Sequence, residues 1–142
     1  MLQEWKVICF LAELFQTNGI KYQFDGSTTV FIHGVVFDME DVDVYISYDS
    51  KEIVLSMLNE HEMTELKNYN HIMEHCYINI NGILVHAMFV FDKTDFSEEA
   101  RDIVYNGVKI HTKNIEFYRR HTKKDNPLIP LIDDWFNRKN KC

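Results

Sequence analysis

Asp41 and Asp43 stand one residue apart in the stretch Asp41-Val-Asp-Val-Tyr-Ile-Ser, which alternates Val42, Val44 and Ile46 with Asp41, Asp43 and Tyr45. On a strand the two acids share a face, about 7 Å apart along the backbone, so both carboxylates reach one hard cation, and magnesium is the fitting ion. Upstream lies Gly26-Ser27. A glycine lets backbone approach closely, and a serine opening a helix offers amide donors and the positive dipole end to a phosphate. Taken singly, a Gly-Ser pair reads as a helix cap and an Asp-x-Asp pair as a solvated strand face. Their order places a triphosphate holder beside a metal holder.

The elements that must position these residues follow from hydrophobic periodicity. Leu2, Trp5, Ile8, Leu11, Ala12 and Phe15 make one stripe of an amphipathic helix, stopped by Asn18-Gly19. Residues 20–25 alternate as a short strand, and 28–34 form a brief apolar helix that Ser27 caps. A turn at 38–41 leads into the strand 41–47. The helix 28–34 is expected to pack between these two strands, which neighbour each other. Segments 50–59 and 62–68 read as two short helices. Asn81-Gly82 and Asn106-Gly107 mark two hairpins, joining 76–80 to 83–91 and 101–105 to 108–111. A helix over 112–123, capped by Thr112, and a last helix opened by Asn126-Pro127, with Leu128, Leu131, Ile132 and Trp135 inward, complete the chain. The sum is an α/β (α+β) fold: a mixed sheet of four to six strands with helices mainly on one side.

Composition bounds the partners. The 142 residues suit a single domain spanning 1–142, with 46% apolar and 26% charged residues and no low-complexity tract. A net charge of −7 speaks against nucleic acid as a general partner. The one basic run is Arg119, Arg120, His121, Lys123 and Lys124, followed by Arg138, Lys139 and Lys141; it reads equally as a solvated helix face or a phosphate contact. No apolar run is long enough for a bilayer, and no signal-peptide pattern opens the chain. Cys9, Cys76 and Cys142 are odd in number and without paired spacing, so reduced thiols in the cytoplasm are expected. His71, His75 and Cys76 lie close in sequence, but no fourth residue has zinc spacing, and a surface or partly buried cluster is the reading. No Ser-His-Asp signature, phosphate loop ending in Gly-Lys-Ser/Thr or dinucleotide fingerprint is present.

The stretch FDGSTTVFIHGVVFDMEDVDVYI, with thirteen residues between Ser27 and Asp41, resembles the nucleotidyltransferase superfamily, whose pattern is Gly-Gly or Gly-Ser, a short helix and an Asp-x-Asp strand. The tail NGVKIHTKNIEFYRRHTKKDNPLIPLI is similar to the close of small stand-alone members, where a hairpin leads to a helix and a Lys-Asp pair, here Lys124-Asp125. The resemblance implies that Asp41 and Asp43 hold magnesium and that Gly26, Ser27 and Lys124 hold a nucleoside triphosphate. It also implies that an acceptor hydroxyl attacks the α-phosphorus. Such sites normally gain a third carboxylate from a later strand. The matching strand, 83–91, offers His86 instead, with Asp92 at its end, and a histidine can serve as base near neutral pH. Two functions follow: a magnesium-dependent nucleotidyltransferase acting on a small-molecule or protein acceptor, or a non-catalytic, antitoxin-like module that binds a nucleotide or a partner protein. A homodimer is compatible with either.

Overall fold

The computed structural model describes residues 2–140. Helix α1 (Gln3–Thr17) buries Trp5, Val7, Ile8, Cys9, Leu11, Ala12 and Phe15 on one stripe. It ends as its sequence requires: Gly19 takes φ +65°, and Ile20 N–H donates to Phe15 O at 2.9 Å. Strand β1 (Tyr22–Phe24), helix α2 (Ser27–Ile32) and strand β2 (Val42–Ser47) follow. A 3₁₀ turn (Tyr48–Ser50) runs into helix α3 (Lys51–Met57). Strands β3 (Glu62–Met63), β4 (Lys67–Tyr69), β5 (Met73–Ile80) and β6 (Ile83–Val90) come next, then β7 (Ala100–Tyr105), β8 (Val108–Lys113), α4 (Ile115–His121) and α5 (Leu128–Lys139).

The described strands form one mixed eight-stranded sheet in the order β3-β5-β6-β2-β1-β8-β7, with β4 also paired to β5. β1 and β2 are antiparallel neighbours, as expected, while β2/β6 and β1/β8 are parallel. Both Asn-Gly pairs take positive φ at both residues, the signature of a tight two-residue hairpin. One sheet face carries the main core, in which α1, α3 and part of α2 cover Phe24, Val42, Val44, Ile46, Ile78, Val85 and Phe89. Each such side chain contributes about 1.5–3 kcal/mol by leaving water. A second cluster joins Val30 and Val35 to Ile115, Ile132 and Trp135, docking α4 and α5 against α2.

Several sequence expectations are corrected. Residues 62–68 are not a helix but the short strands β3 and β4, exposed along the margin of β5; these raise the strand number above six. Thr112 does not cap a helix. It lies inside β8, where its buried hydroxyl meets Thr29 Oγ1 at 3.0 Å and Phe24 O at 3.3 Å, and Asn114 caps α4 by accepting from Phe117 N–H at 2.7 Å. Ser27 is the first residue of α2, but Gly26 holds the cap position and no side chain caps it. In α5, Ile132 and Trp135 are buried while Leu131 is exposed. Cys9 and Cys76 are free and buried; Lys141 and Cys142 lie outside the described residues.

Candidate active site

The acid pair projects from the sheet face opposite the main core. In β2, Val42, Val44 and Ile46 are fully buried, while Asp43, Tyr45 and Ser47 are half-buried, and Asp41 leads the strand on the same side. Pairing extends this alternation into a row across the sheet. Asp25 N–H donates to Asp43 O at 3.1 Å, continuing the β1/β2 ladder by one step. Asp43 pairs with His86 on β6, and His86 with Tyr77 on β5. Asp25, Asp43, His86 and Tyr77 thus stand in line on one face.

Charge is concentrated there. Partial burial, then the neighbouring Asp43 carboxylate, raises the Asp41 carboxyl above the ordinary range, with His86 acting in the opposite sense. Burial also raises Asp25; the Gly26 amide and Lys113 oppose it, and Asp43 adds to it. The Tyr45 hydroxyl is raised by burial and then by Asp25 and Asp43. Several carboxylates therefore act on one small region.

Helix α2 is pinned against this region by two threonines. Buried Thr28 Oγ1 accepts the Asp43 backbone N–H at 2.8 Å and points toward Asp41 O at 3.5 Å. Thr29 Oγ1 donates to Phe24 O at 3.4 Å. Between the strand and the helix, Gly26 adopts φ 63°, ψ −147°, a conformation essentially reserved for glycine. Its N–H donates to Asp25 Oδ1 at 2.6 Å.

His86 is fixed from two sides. Its ring stacks on Tyr77 with centroids 4.4 Å apart and an interplanar angle of 9°. Its Nε2 lies 2.9 Å from His75 Nδ1, a hydrogen bond. Its Nδ1 lies 3.6 Å from Asp43 Oδ1, too long for a hydrogen bond but close enough for charge to be felt. Burial, followed by His86 and Lys67, lowers the tendency of His75 to protonate.

The structure brings together Gly26, Ser27, Asp41, Asp43 and His86. Asp92 is exposed beyond the end of β6 and does not join them. Lys124 is exposed in the connection between α4 and α5, whose neighbours Tyr118, His121 and Thr122 line a cleft with Asp25. Of the basic run, Arg119 makes a two-point contact with Asp133 and Arg120 pairs with Glu99. Cys76 points into the main core while His75 points to the opposite face, so they do not share a metal.

Sequence reasoning missed Asp25 and Thr28, and it read His75 with His71 and Cys76 rather than beside His86. An acid before a glycine reads as a turn residue, and a threonine in a short helix as filler. His75 was within reach, because the two-residue Asn81-Gly82 loop fixes the hairpin register and makes His75 the diagonal neighbour of His86.

For magnesium, the fit rests on two like-charged carboxylates on one face. Among the described residues no group of three or more His, Cys, Asp or Glu side chains is gathered to hold a metal. A hard cation with two carboxylates completes its shell from water and phosphate oxygens, so the residues present suit an ion that arrives with a nucleotide.

No protein-family model matches the chain, and no curated protein matches it in sequence. Solved structures do match. A putative nucleotidyltransferase from Thermotoga maritima superposes with a TM-score of 0.72 at 15% identity, over 97% of this chain and 96% of that one. The lincosamide antibiotic adenylyltransferase LnuA, solved with lincomycin bound, gives 0.63 at 13% identity, over 90% and 95% of the two chains. The antibiotic-resistance factor ANT(2'')-Ia, solved in complex with adenylyl-2''-tobramycin, gives 0.55 at 11% identity, over 96% and 90%. With its mixed sheet, its Gly-Ser turn into α2 and its Asp-x-Asp strand, the chain has the nucleotidyltransferase fold.

Proposed function

We propose that the chain is a nucleotidyltransferase that moves a nucleoside monophosphate from a nucleoside triphosphate to a hydroxyl of a small-molecule or protein acceptor, with magnesium held by Asp41 and Asp43. The observation that carries this reading is the cross-strand row Asp25-Asp43-His86, abutting Gly26 at the mouth of α2. One structural neighbour is a lincosamide antibiotic adenylyltransferase and another is solved with adenylyl-2''-tobramycin, which favours a small-molecule acceptor.

In this reading the Gly26 turn and the first amides of α2 receive phosphate oxygens, as helix N-termini do. Lys124, from its exposed loop, adds a cation on the Asp25 side. The acceptor oxygen attacks the α-phosphorus, the bond from that phosphorus to the bridging oxygen breaks, and pyrophosphate leaves. The acceptor's hydroxyl proton passes to His86 Nδ1, the ring nitrogen that faces Asp43. When bound, magnesium supplies positive charge that offsets the phosphate oxygens. Free Cys9 and Cys76 suit a reducing compartment, so this single domain is assigned to the cytoplasm in this reading.

The test incubates the protein with each α-labelled nucleoside triphosphate, magnesium and a panel of hydroxyl-bearing acceptors, itself included, and follows label transfer and pyrophosphate. Transfer should occur in the parent and fall below detection in the Asp41→Asn/Asp43→Asn double variant. Equal transfer by the two would overturn the reading. A second reading is favoured by His86 occupying the register position where an acid would complete the site: the chain binds nucleotide or a partner protein without transferring anything. Magnesium-dependent nucleotide binding in calorimetry, with no transfer to any acceptor, would establish it.

A further inference from the structure

His86 and His75 are diagonal neighbours on the open face of the β5/β6 hairpin. His75 pairs across the ladder with Met88, and His86 with Tyr77. Their rings meet nearly edge to face, with centroids 5.0 Å apart and an interplanar angle of 72°. In this arrangement the in-plane nitrogen of one imidazole addresses the other, and His75 Nδ1 is 2.9 Å from His86 Nε2. One proton lies in this bond. Whichever ring donates it also decides which nitrogen of His86 is bare, because a neutral imidazole carries only one N–H. The remaining nitrogen of His86, Nδ1, points to Asp43 and makes no hydrogen bond to it at 3.6 Å.

Among the described residues two groups face the His86 ring nitrogens: His75, within hydrogen-bond distance of Nε2, and the Asp43 carboxylate, which draws a proton toward Nδ1 from beyond that distance. Tyr77 lies flat against the ring and offers a face rather than a donor or acceptor. His75 is itself steadied by the edge of Tyr69, with centroids 6.4 Å apart. Both supports come from β4 and β5, outside the Gly-Ser to Asp-x-Asp segment.

We propose that His75 is a positioning residue: its Nδ1 accepts the Nε2–H of His86, holding the His86 ring in place and keeping Nδ1 bare toward the acid pair. The inference rests on the proposed nucleotidyl transfer for its purpose but not for its test. Holding the proton on Nε2 gives His86 a lone pair where an acceptor hydroxyl must surrender its proton. Histidines whose far nitrogen is fixed by a hydrogen bond are oriented in this way at metal and acid–base sites.

The experiment uses full-length protein labelled with ¹⁵N in histidine. Ring nitrogen shifts and two-bond couplings report which nitrogen of His86 bears hydrogen, whether or not the protein is active. In the parent, Nε2 should carry the proton and Nδ1 should be bare. His75→Leu should scramble this signature. His75→Asn, whose amide oxygen can stand near the lost Nδ1, should restore it. Where transfer is measurable, His75→Leu should lower kcat about 10- to 100-fold with little change in KM for the nucleotide, and His75→Asn should recover most of it. A parent with the proton on Nδ1, or a His75→Leu variant with an unchanged His86 signature, would overturn the proposal. Absence of transfer in a parent that shows the expected signature would count against the proposed function alone.

Discussion

A Cβ atom built on Gly26 would stand 2.6 Å from Asp43 Oδ2, so the turn into α2 and the second acid of the pair are fitted to each other with no room for a side chain between them. Gly26→Ala should therefore cost about 1–3 kcal/mol in chemical denaturation from backbone strain alone, and it should also displace the carboxylate and weaken nucleotide binding. Gly19→Ala is the control. It too has positive φ, at +65°, but its Cβ would meet nothing within 4 Å. It should lose stability without losing nucleotide affinity. Equal affinity loss in both would show that the Gly26 effect is not the contact with Asp43.

Among the described residues, Thr28 supplies the one side-chain partner of the Asp43 backbone N–H. Thr28→Val keeps the shape and removes the acceptor, so the part-buried Asp43 N–H loses this partner at a cost of about 1 kcal/mol. Thr28→Ser keeps the hydroxyl and should retain most of the stability. Denaturation curves on the two variants decide the matter, with equal loss in both pointing to packing rather than the hydrogen bond.

Asp25 is the acid that adjoins Asp43 across β1 and β2. Asp25→Asn removes a charge that burial and Asp43 already oppose, and its amide oxygen can still accept from Gly26. The fold should hold to within about 1 kcal/mol. Magnesium-dependent nucleotide affinity, measured calorimetrically, should fall. Unchanged affinity would place Asp25 outside the binding site.

His33 provides a pH signature independent of the site. It donates from Nδ1 to Thr29 O at 2.7 Å, and its Nε2 has no partner among the described residues. Burial lowers its pKa to about 4. The folded protein thus keeps His33 neutral between about pH 6.5 and 4, whereas the unfolded chain takes up a proton there, so stability falls with falling pH across that window. The loss is on the order of 3 kcal/mol when complete. His33→Gln should flatten that part of the curve, and urea titrations of both proteins from pH 7 to 4 provide the comparison. Parallel curves would remove His33 as the cause.

The sequence displayed the local features and hid the distant ones. Asn81-Gly82 and Asn106-Gly107 announced their hairpins because positive φ at two successive residues is a demand few other pairs meet. The strict alternation of Val42, Val44 and Ile46 announced which way Asp43 faces. Residues 62–68 read as a helix because the strands they form are exposed margins with little core to impose a two-residue alternation. Thr112 read as a cap because threonine often is one; its role is set by Thr29 and Phe24, more than eighty residues earlier. The Asp25-Asp43-His86 row required the order β6-β2-β1, which no local pattern encodes.

That same Thr112 governs when the protein becomes complete. β1 pairs with β8 only at Phe24 and Thr112, and α2 is tied to β8 by the Thr29–Thr112 contact, which spans 83 residues. At about 5–20 residues per second of synthesis, roughly 4–17 s separate the emergence of the Gly26 turn from that of the strand that closes over it. During that interval Tyr22 and Phe24 lie on an open strand edge. The Gly26 turn is therefore among the last parts of a newly made chain to be locked.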